Sequence, residues 1–468
     1  MPKTIRTFAL VLLAALGCEN AFTQIPPGEA PALSRDFMQD DIASGAMTLD
    51  EIRHAGMQVF ATPFNKLDGY GDGPTDPADP TSPGGRPTLQ NNGTLLRVNG
   101  LDAQSCQECH SVGSSAEVPF RFAVGGAGSS NNNAIFQPRE IDVSDSHFYG
   151  YAFFDGRFIN PPFLFGSGGI ELLAKEMTAN LQKRRYFARR NPGKPIPLTT
   201  HGVNFGSLTY DAATQSFDYR AVSGIDNDLV VKPFGRKGEF ATVRAFDVGA
   251  MAFHFGMQAV EDVGSGIDAD GDGVTDEVLV GQLSALHIFN TNLERPLQQR
   301  PGGQAQAGAV LFEDIGCAGC HVPEIRTRTR VLRYTFPEDH TRPNANTFFS
   351  VDLSATPAGF GTDGRGLSIP LFSDLKRHDM GDELAESFGG ELDRMFITAR
   401  LWGVADTAPY LHDGRALTLT DAILAHGGEA QPSRDSFAGL DDGQKVQLLE
   451  FLRTLRTPVA PAADLLQQ

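Results

Sequence analysis

The sequence predicts a mainly α fold made of two similar halves, with long irregular loops and insertions. A pattern of two cysteines followed by a histidine occurs twice, at residues 106–110 and 317–321. A Gly-x-x-aliphatic-Phe segment precedes each copy, at residues 56–60 and 308–312. Near the end of the chain, apolar residues recur with helical period over residues 441–456, which predicts a closing helix.

Composition and charge narrow the class of protein. Of 468 residues, 41% are hydrophobic and 21% are charged, which is typical of a globular chain long enough for two or three domains. The formal net charge of −18 argues against nucleic acid and against an anionic membrane surface as partners of the whole chain. An acidic surface does suit a cationic redox partner.

The first residues predict an export signal. Lys3 and Arg6 precede an apolar run over residues 8–16, which is shorter than the about 20 residues needed to span a bilayer. Small residues then lead to Cys18, as in a bacterial lipoprotein signal over residues 1–17. We expect a periplasmic protein, with membrane contact only through a lipid on Cys18. Ordinary signal cleavage, with Cys18 unmodified, is the alternative.

The repeated C-x-x-C-H pattern is the attachment signal for haem c. Two cysteines one helical turn apart can each form a thioether with a haem vinyl group, and the adjacent imidazole then binds the iron. A four-thiolate zinc site and two local disulfides are the alternatives, but neither needs a histidine after each pair. The sequence therefore predicts two covalently bound haem c groups, held by Cys106, Cys109, His110, Cys317, Cys320 and His321.

The two halves differ in their insertions. Phe60 lies 46 residues before Cys106, whereas Phe312 lies five residues before Cys317. The extra residues are rich in Gly, Pro, Asp and Asn, which is typical of an inserted loop. We predict a haem domain over residues 50–295, a linker near 295–304, and a cytochrome c domain over residues 302–460. Capping boxes are expected at residues 48–51 and 418–421.

Three segments, 371–381, 400–403 and 409–430, carry a family resemblance. Through them the chain resembles the bacterial di-haem c-type oxidoreductases of the peroxidase type, relatives of the di-haem cytochrome c peroxidases. The resemblance implies that electrons from a small redox protein or a quinol-linked donor enter at the C-terminal haem. They would pass to the N-terminal haem, where peroxide or another small oxidant is reduced.

The resemblance also implies roles for particular residues. Counting fourteen residues from His412 reaches His426, where the peroxidases commonly carry Met, so His426 is expected as the distal ligand of the haem bound by His321. Residues 166–177 align with the distal loop of the peroxidases. Glu176, and next Glu171, are therefore the candidate acid/base residues. The alternatives are a His426 that only ends a helix and glutamates that are solvated.

A different ligand set would change the function. His254 is a weaker candidate for a sixth ligand of the N-terminal haem, as is Met257. Two fully ligated haems would make a pure electron-transfer cytochrome with no substrate site. Haem oxygenase chemistry on an organic substrate, as in the related rubber-cleaving enzymes, is a further alternative. Trp402, the sole tryptophan, is a candidate electron relay.

An acidic loop predicts a calcium site. Asp268, Asp270, Asp272 and Asp276 occupy positions 1, 3, 5 and 9 of an EF-hand-like loop with Gly273 at position 6. Position 12 is leucine, so the bidentate glutamate is missing, and Asp276 and Glu277 are the candidates that compensate. A solvated acidic turn is the alternative.

Overall fold

The computed structural model describes residues 29–33, 37–71, 104–110, 135–142, 153–388, 391–459 and 461–466. The predicted signal over residues 1–17, Cys18 and most of the insertion before the first motif lie outside the described residues. Among the helices that are described, none is long and apolar enough to cross a membrane.

The helices are distributed along the whole chain. In order they are α1 Gln39–Ala43, α2 Leu49–Ala61, α3 Ser167–Arg190, α4 Val243–Ala250, α5 Val260–Val263, α6 Val280–Thr291, α7 Gly303–Asp314, α8 Leu419–Leu424, α9 Gln431–Ala438, α10 Asp442–Leu452 and α11 Ala463–Leu466. Each cysteine motif begins a short 3₁₀ turn, Cys106–Glu108 and Cys317–Gly319, and a π-helical turn, Met251–Phe255, continues α4.

The strands are short and pair in small antiparallel sheets. They are β1 Ile135–Asp142, β2 Phe153–Ile159, β3 Ile196–Thr200, β4 Val203–Asp211, β5 Ser216–Asp218, β6 Leu297–Gln298, β7 Ile325–Arg326, β8 Val331–Thr335, β9 Thr347–Asp352, β10 Ser368–Ile369, β11 Arg377–Asp379, β12 Glu386–Phe388, β13 Glu391–Asp393, β14 Met395–Ile397 and β15 Leu455–Arg456. Their pairs are β1–β2, β3–β4–β5, β6–β15, β7–β10, β8–β9, β11–β14 and β12–β13.

Helix is more abundant than strand in the described residues, but there is more strand than the mainly α prediction anticipates. The largest departure is in residues 196–218, where β3, β4 and β5 form a three-stranded meander that buries Phe205 and Leu208 completely. The closing helix and the capping box at Thr48 and Glu51 are confirmed. Thr418 also caps its helix, by accepting the N–H of Asp421 at 3.0 Å.

Both halves contain the same helix crossing. α2 packs on α6 at Gly56, where a Cβ atom would lie 2.1 Å from the carbonyl oxygen of Ala285. α7 packs on α10 at Gly308, where a Cβ atom would lie 1.9 Å from the carbonyl oxygen of Gln447. Only glycine permits these approaches. The glycines of the two repeated Gly-x-x-aliphatic-Phe segments therefore have equivalent structural roles.

The aromatic residue of each repeat reinforces its crossing. Phe60 is 2% exposed and lies 5.6 Å, between ring centroids, from Phe289 of α6. Phe312 is 3% exposed and lies 5.4 Å from Phe451 of α10. Each crossing belongs to an apolar cluster that reaches the neighbouring cysteine motif, at Cys106 in one half and at Cys317 in the other. The fold thus places both motifs against apolar surroundings.

Candidate functional site

The second motif folds into a turn that presents His321. The N–H of His321 donates to the carbonyl oxygen of Cys317 at 2.9 Å, which closes the turn. On its side chain, Nδ1 donates to the carbonyl oxygen of Phe372 at 3.1 Å. A neutral imidazole that donates from Nδ1 keeps its lone pair on Nε2, so this bond selects the nitrogen that can bind a metal.

His426 follows the short helix α8 and lies opposite His321. Its Nδ1 donates to the carbonyl oxygen of Ala422 at 2.8 Å, which again leaves Nε2 as the lone-pair nitrogen. The ring centroids of His321 and His426 are 6.4 Å apart, with an interplanar angle of 60°. Two imidazoles on opposite sides of one metal ion would have centroids about 6.3–6.5 Å apart, given metal–nitrogen bonds of about 2.1 Å. The spacing therefore fits an iron between the two rings.

The protonation of both rings suits ligation. Burial lowers the pKa of His321 to about 4, and burial also lowers the pKa of His426. Metal ligands must be neutral imidazoles, and both rings are therefore in the ligating form at neutral pH. The surroundings are apolar, because Phe312, Phe372 and Phe451 form mutual ring contacts beside Cys317. This donor set and its pocket fit a haem.

The first motif repeats the same local geometry. The N–H of His110 donates to the carbonyl oxygen of Cys106 at 2.9 Å, and Nδ1 donates to the carbonyl oxygen of Pro162 at 2.8 Å. Burial lowers the pKa of His110 to about 4, and the charge of His254 contributes to this shift. The electrostatic influence of His254, on the π-helical turn, thus reaches the candidate proximal ligand. Met257 is fully buried in the apolar cluster beside Cys106.

The cysteine pairs remain apart. No disulfide joins the cysteines of the described residues. Within the described ranges, no group of three or more possible metal-ligating atoms joins cysteines of both motifs. This arrangement gives no support to the zinc or disulfide alternatives. Burial raises the pKa of the Cys317 thiol to about 11, so this thiol, when unmodified, is neutral and inert.

The two predicted acid/base glutamates are both engaged in contacts within the protein. Glu176 accepts the N–H of Arg328 at 2.7 Å and both the N–H and the hydroxyl of Thr329 at 2.9 Å. Glu171 is completely buried, with Lys175 Nζ at 2.7 Å and His287 Nε2 at 2.8 Å. Although burial alone would raise the pKa of Glu171, these two partners hold it well below the usual range.

A buried aspartate that the sequence did not single out lies near the first motif. Asp247 of α4 is 7% exposed and accepts a hydrogen bond from the Asn290 side chain at 3.1 Å. Burial raises the pKa of Asp247 well above the usual range. The charge of Asp247 in turn contributes to a raised pKa of Cys106, whose main cause is burial. Asp247 is therefore a buried carboxyl group whose pKa is raised and whose electrostatic influence extends to the first cysteine motif.

The acidic loop brings three of its four predicted ligands together. Possible ligand atoms of Asp268, Asp270 and Asp272 lie within 4.8 Å of one another. The carboxylate of Asp276 instead accepts the N–H of Gly266 at 2.8 Å. Glu277 is 2% exposed, and burial, with added repulsion from the three aspartates, raises its pKa to about 8. The repulsion shows that Glu277 lies within the electrostatic reach of the three clustered aspartates, while one of its oxygens accepts the N–H of Gln258 at 2.8 Å.

Trp402, the candidate electron relay, and His412 both lie between the halves. Trp402 is 2% exposed and packs on Phe360 at 6.3 Å between ring centroids, and its ring also contacts Gly166, which precedes α3. His412 stacks on Phe396 at 4.5 Å, and its carbonyl oxygen accepts the N–H of Asn160 at 2.8 Å. Both residues therefore link the C-terminal half to segments of the N-terminal half.

The second motif and His426 bring two imidazoles to a spacing that fits an iron, and a family comparison matches the same part of the chain. Residues 343–455 match the family described as "Di-haem oxidoreductase, putative peroxidase". The match confirms the resemblance inferred from residues 371–430, and this segment has the sequence of a di-haem oxidoreductase of the peroxidase type. It contains His412 and His426. Among curated proteins, no sequence matches the chain.

Two solved structures are similar to the chain at low identity. A MauG-like protein associated with microbial copper homeostasis is 14% identical, with 62% of this chain and 89% of that chain covered and a TM-score of 0.28. Hydrazine synthase of Kuenenia stuttgartiensis, pressurised with 20 bar xenon, is 19% identical, with 38% and 55% covered and a TM-score of 0.22. The chain thus spans about half the length of the latter. At these TM-scores neither similarity carries a conclusion.

Proposed function

We propose that this protein is an exported di-haem c-type oxidoreductase that reduces peroxide or another small oxidant. Cys106, Cys109 and His110 would hold one haem, and the equivalent residues of the second motif would hold the other. A bound haem supplies one-electron redox chemistry and, where a coordination position is open, a site for the oxidant. The 6.4 Å between the rings of His321 and His426 is the observation that carries the proposal.

The second cysteine motif and His426 form what we call the C-terminal centre. This centre is the proposed entry point for electrons. His321 and His426 would both bind the iron of this haem, so the iron would have no position left for a substrate. The cluster beside Cys317 gives this centre apolar surroundings, and the two Nδ1–carbonyl hydrogen bonds fix the ring orientations. A rigid, saturated centre changes little on reduction and suits electron transfer. A small redox protein or a quinol-linked donor is the proposed partner, and Trp402 lies where the halves meet.

The first cysteine motif, with His110, forms the N-terminal centre. This centre is the proposed site of oxidant reduction. Reduction of peroxide needs a group that moves a proton between its two oxygens. Asp247 is buried, burial raises its pKa, and its electrostatic influence reaches Cys106, so it is better suited to this task than Glu171 or Glu176. Glu171 is held ionised by Lys175 and His287 and cannot donate a proton. Glu176 binds the chain at residues 328–329, which favours a structural role.

A second candidate function is electron transfer without a substrate. The electrostatic influence of His254 on His110 favours it, because a second imidazole bound to the N-terminal iron would leave no coordination position for a substrate. The two candidate functions therefore differ in whether His254, on the π-helical turn, binds the N-terminal iron. Both functions keep the same attachment residues and the same C-terminal ligands.

Export and calcium complete the proposal. The signal over residues 1–17 would direct the chain to the periplasm, with Cys18 as a possible lipid anchor. Asp268, Asp270, Asp272 and Glu277 would bind Ca²⁺, since carboxylate oxygens are the ligands that this ion prefers. The loop is also bonded to the segment that follows Met257, because Gln258 donates its N–H to Glu277 at 2.8 Å.

Low-temperature EPR of the oxidised holoprotein, combined with a peroxide-reduction assay, tests the proposed function. The enzyme predicts one low-spin signal from the paired histidines and one high-spin ferric signal from an open N-terminal centre, together with peroxide consumption by the pre-reduced protein. Two low-spin signals and no consumption would establish the carrier. A colourless protein of unmodified mass, made in a host that matures c-type cytochromes, would exclude both.

A further inference from the structure

His378 lies in a buried charged cluster beside the C-terminal centre. It belongs to β11 and is 8% exposed. Its Nε2 donates to Asp374 at 2.9 Å, and its Nδ1 donates to Glu429 at 2.8 Å. Because both ring nitrogens donate to carboxylates, the ring is an imidazolium. Although burial opposes this, the hydrogen bonds to Asp374, Cys320 and Glu429 raise the pKa of His378 to about 11.

One end of this cluster is attached to the segment that orients His321. Asp374 is 4% exposed and lies two residues after Phe372, whose carbonyl oxygen accepts the Nδ1–H of His321. The other oxygen of Asp374 accepts the hydroxyl of Thr398 at 2.7 Å and the N–H of Lys376 at 2.9 Å. The carboxylate is thus fixed on both oxygens, and the segment that carries the Phe372 carbonyl is fixed with it.

The other end is attached to the segment that carries His426. Glu429 lies three residues after His426, and its second oxygen accepts the N–H of Asp379 at 3.1 Å. The backbones of the two segments also touch, since a Cβ atom on Gly428 would lie 2.2 Å from the carbonyl oxygen of Asp379. Glu429 therefore joins the residues that follow His426 to β11 through two hydrogen bonds.

We propose that Asp374, His378 and Glu429 form a clasp that sets the separation of His321 and His426 and so keeps His426 on the C-terminal iron. The inference rests on the proposed function, because it presumes a haem between the two rings. The three residues act through the histidines that they position and make no contact with the iron themselves. Asp374 fixes the segment that orients His321, and Glu429 fixes the segment that carries His426. The imidazolium of His378 bridges the two carboxylates.

A metal site at the same place fits less well. Cys320 Sγ lies within 4.8 Å of ligand atoms of Asp374 and His378, which is the spacing of a three-ligand group. However, both nitrogens of His378 donate protons and have no lone pair to offer. In addition, haem attachment would convert the Cys320 thiol to a thioether. The cluster is therefore better explained as a positioning device that also contacts the attachment turn.

The test uses the holoprotein and the variants Glu429→Ala and His378→Ala. Both should convert much of the C-terminal low-spin ferric EPR signal to high spin, with the haem content unchanged. Added imidazole should restore the low-spin signal, because it can fill an opened distal position only if the pocket is intact. Glu450→Ala is the matched control, since Glu450 forms an exposed ion pair with Arg453 in the same half of the chain.

The variant with both His378→Ala and Glu429→Ala distinguishes the clasp from a nonspecific disturbance of the fold. If His378 and Glu429 act through their mutual contact, the double variant should lose no more low-spin signal than the more affected single variant. Unchanged low-spin signals in both single variants would overturn the clasp while leaving the ligand assignment standing. A high-spin change that imidazole cannot reverse would also overturn it. A wild-type protein without a bis-histidine signal would overturn the ligand assignment and the clasp together.

Discussion

His321 and His426 lie 105 positions apart in sequence, yet their ring centroids are 6.4 Å apart, with an interplanar angle of 60°. Each ring is held by a backbone carbonyl, of Phe372 in one case and of Ala422 in the other. The carbonyl bonds fix both rings in the same tautomer, so that the two lone pairs are available to one metal ion. This relationship makes the C-terminal centre the best defined part of the site.

Replacement of His426 tests this centre directly. His426→Ala should turn the C-terminal low-spin signal into a high-spin one, because it removes a ligand. His426→Met should keep the iron low-spin and raise its midpoint potential, since thioether ligation favours the reduced iron. EPR and a potentiometric titration measure both effects. His412→Ala, at a half-buried histidine of the same half, should leave the low-spin signal in place. A low-spin signal that survives in His426→Ala would exclude His426 as a ligand.

The sequence predicts the repeated parts of the fold because their signals are local. Gly56 and Gly308 each mark a helix crossing, and each C-x-x-C-H motif folds into one short turn. The partner helix α6 was not predicted, because nearly all of its residues are buried and its apolar pattern has no polar face to set a period. The meander of β3, β4 and β5 likewise carries no motif that would identify it.

The parts of the site that the sequence did not identify depend on distant contacts. Glu429 is 51 residues from His378, and Asp247 is 43 residues from Asn290. No spacing rule links such pairs, and an isolated acidic residue in a sequence is usually solvated. His426 was found only because its distance from His412 matches a family pattern. Burial, rather than residue type, distinguishes Asp247 from the many other carboxylates of the chain.

The helix crossing predicts opposite effects for two glycines of α7. Gly308→Ala should lower the free energy of unfolding by about 1–3 kcal/mol, because the new methyl group would collide with the Gln447 carbonyl. Gly303→Ala, in the same helix but with open space around it, should raise stability by up to about 1 kcal/mol through helix propensity. Urea unfolding followed by circular dichroism measures both. Equal effects of the two substitutions would contradict the crossing.

If Asp247 transfers the proton, substitutions of Asp247 and of Glu176 should affect different quantities: kcat for Asp247 and stability for Glu176. Asp247→Asn should lower kcat for peroxide reduction by about 10²–10⁴-fold, because it removes a positioned acid, and the pH profile of kcat should lose one ionisation. Glu176→Gln should leave kcat within twofold and lower stability by about 1–3 kcal/mol, since it disturbs bonds to residues 328–329. Steady-state kinetics and urea unfolding separate the two. The reverse pattern would return the catalytic role to Glu176.

Substitution of the clustered aspartates in the acidic loop should remove bound calcium. Asp270→Ala combined with Asp272→Ala should remove about one equivalent of calcium per chain, because it deletes two of three clustered carboxylates. Mass spectrometry of trace metals on the purified holoprotein measures this loss. Asp262→Ala, an exposed residue of the preceding helix α5, is the control and should retain the ion. Calcium content equal to that of the wild type in the double variant would show that the loop is a solvated turn.

The charged cluster predicts a specific dependence of stability on pH. The pKa of His378 is raised to about 11 in the folded protein, against an ordinary value near 6.5. A raised histidine pKa stabilises the fold fully below pH 6.5, and this contribution falls by up to about 1.4 kcal/mol per pH unit as the pH rises toward 11. The free energy of unfolding of the wild type should therefore decrease from pH 7 to pH 9 relative to that of His378→Gln. Urea unfolding of the holoprotein at pH 7, 8 and 9, followed in the Soret band, measures the difference. Parallel curves for the two proteins would show that His378 does not retain its proton through this range, and the bridge between Asp374 and Glu429 would then lack its charge.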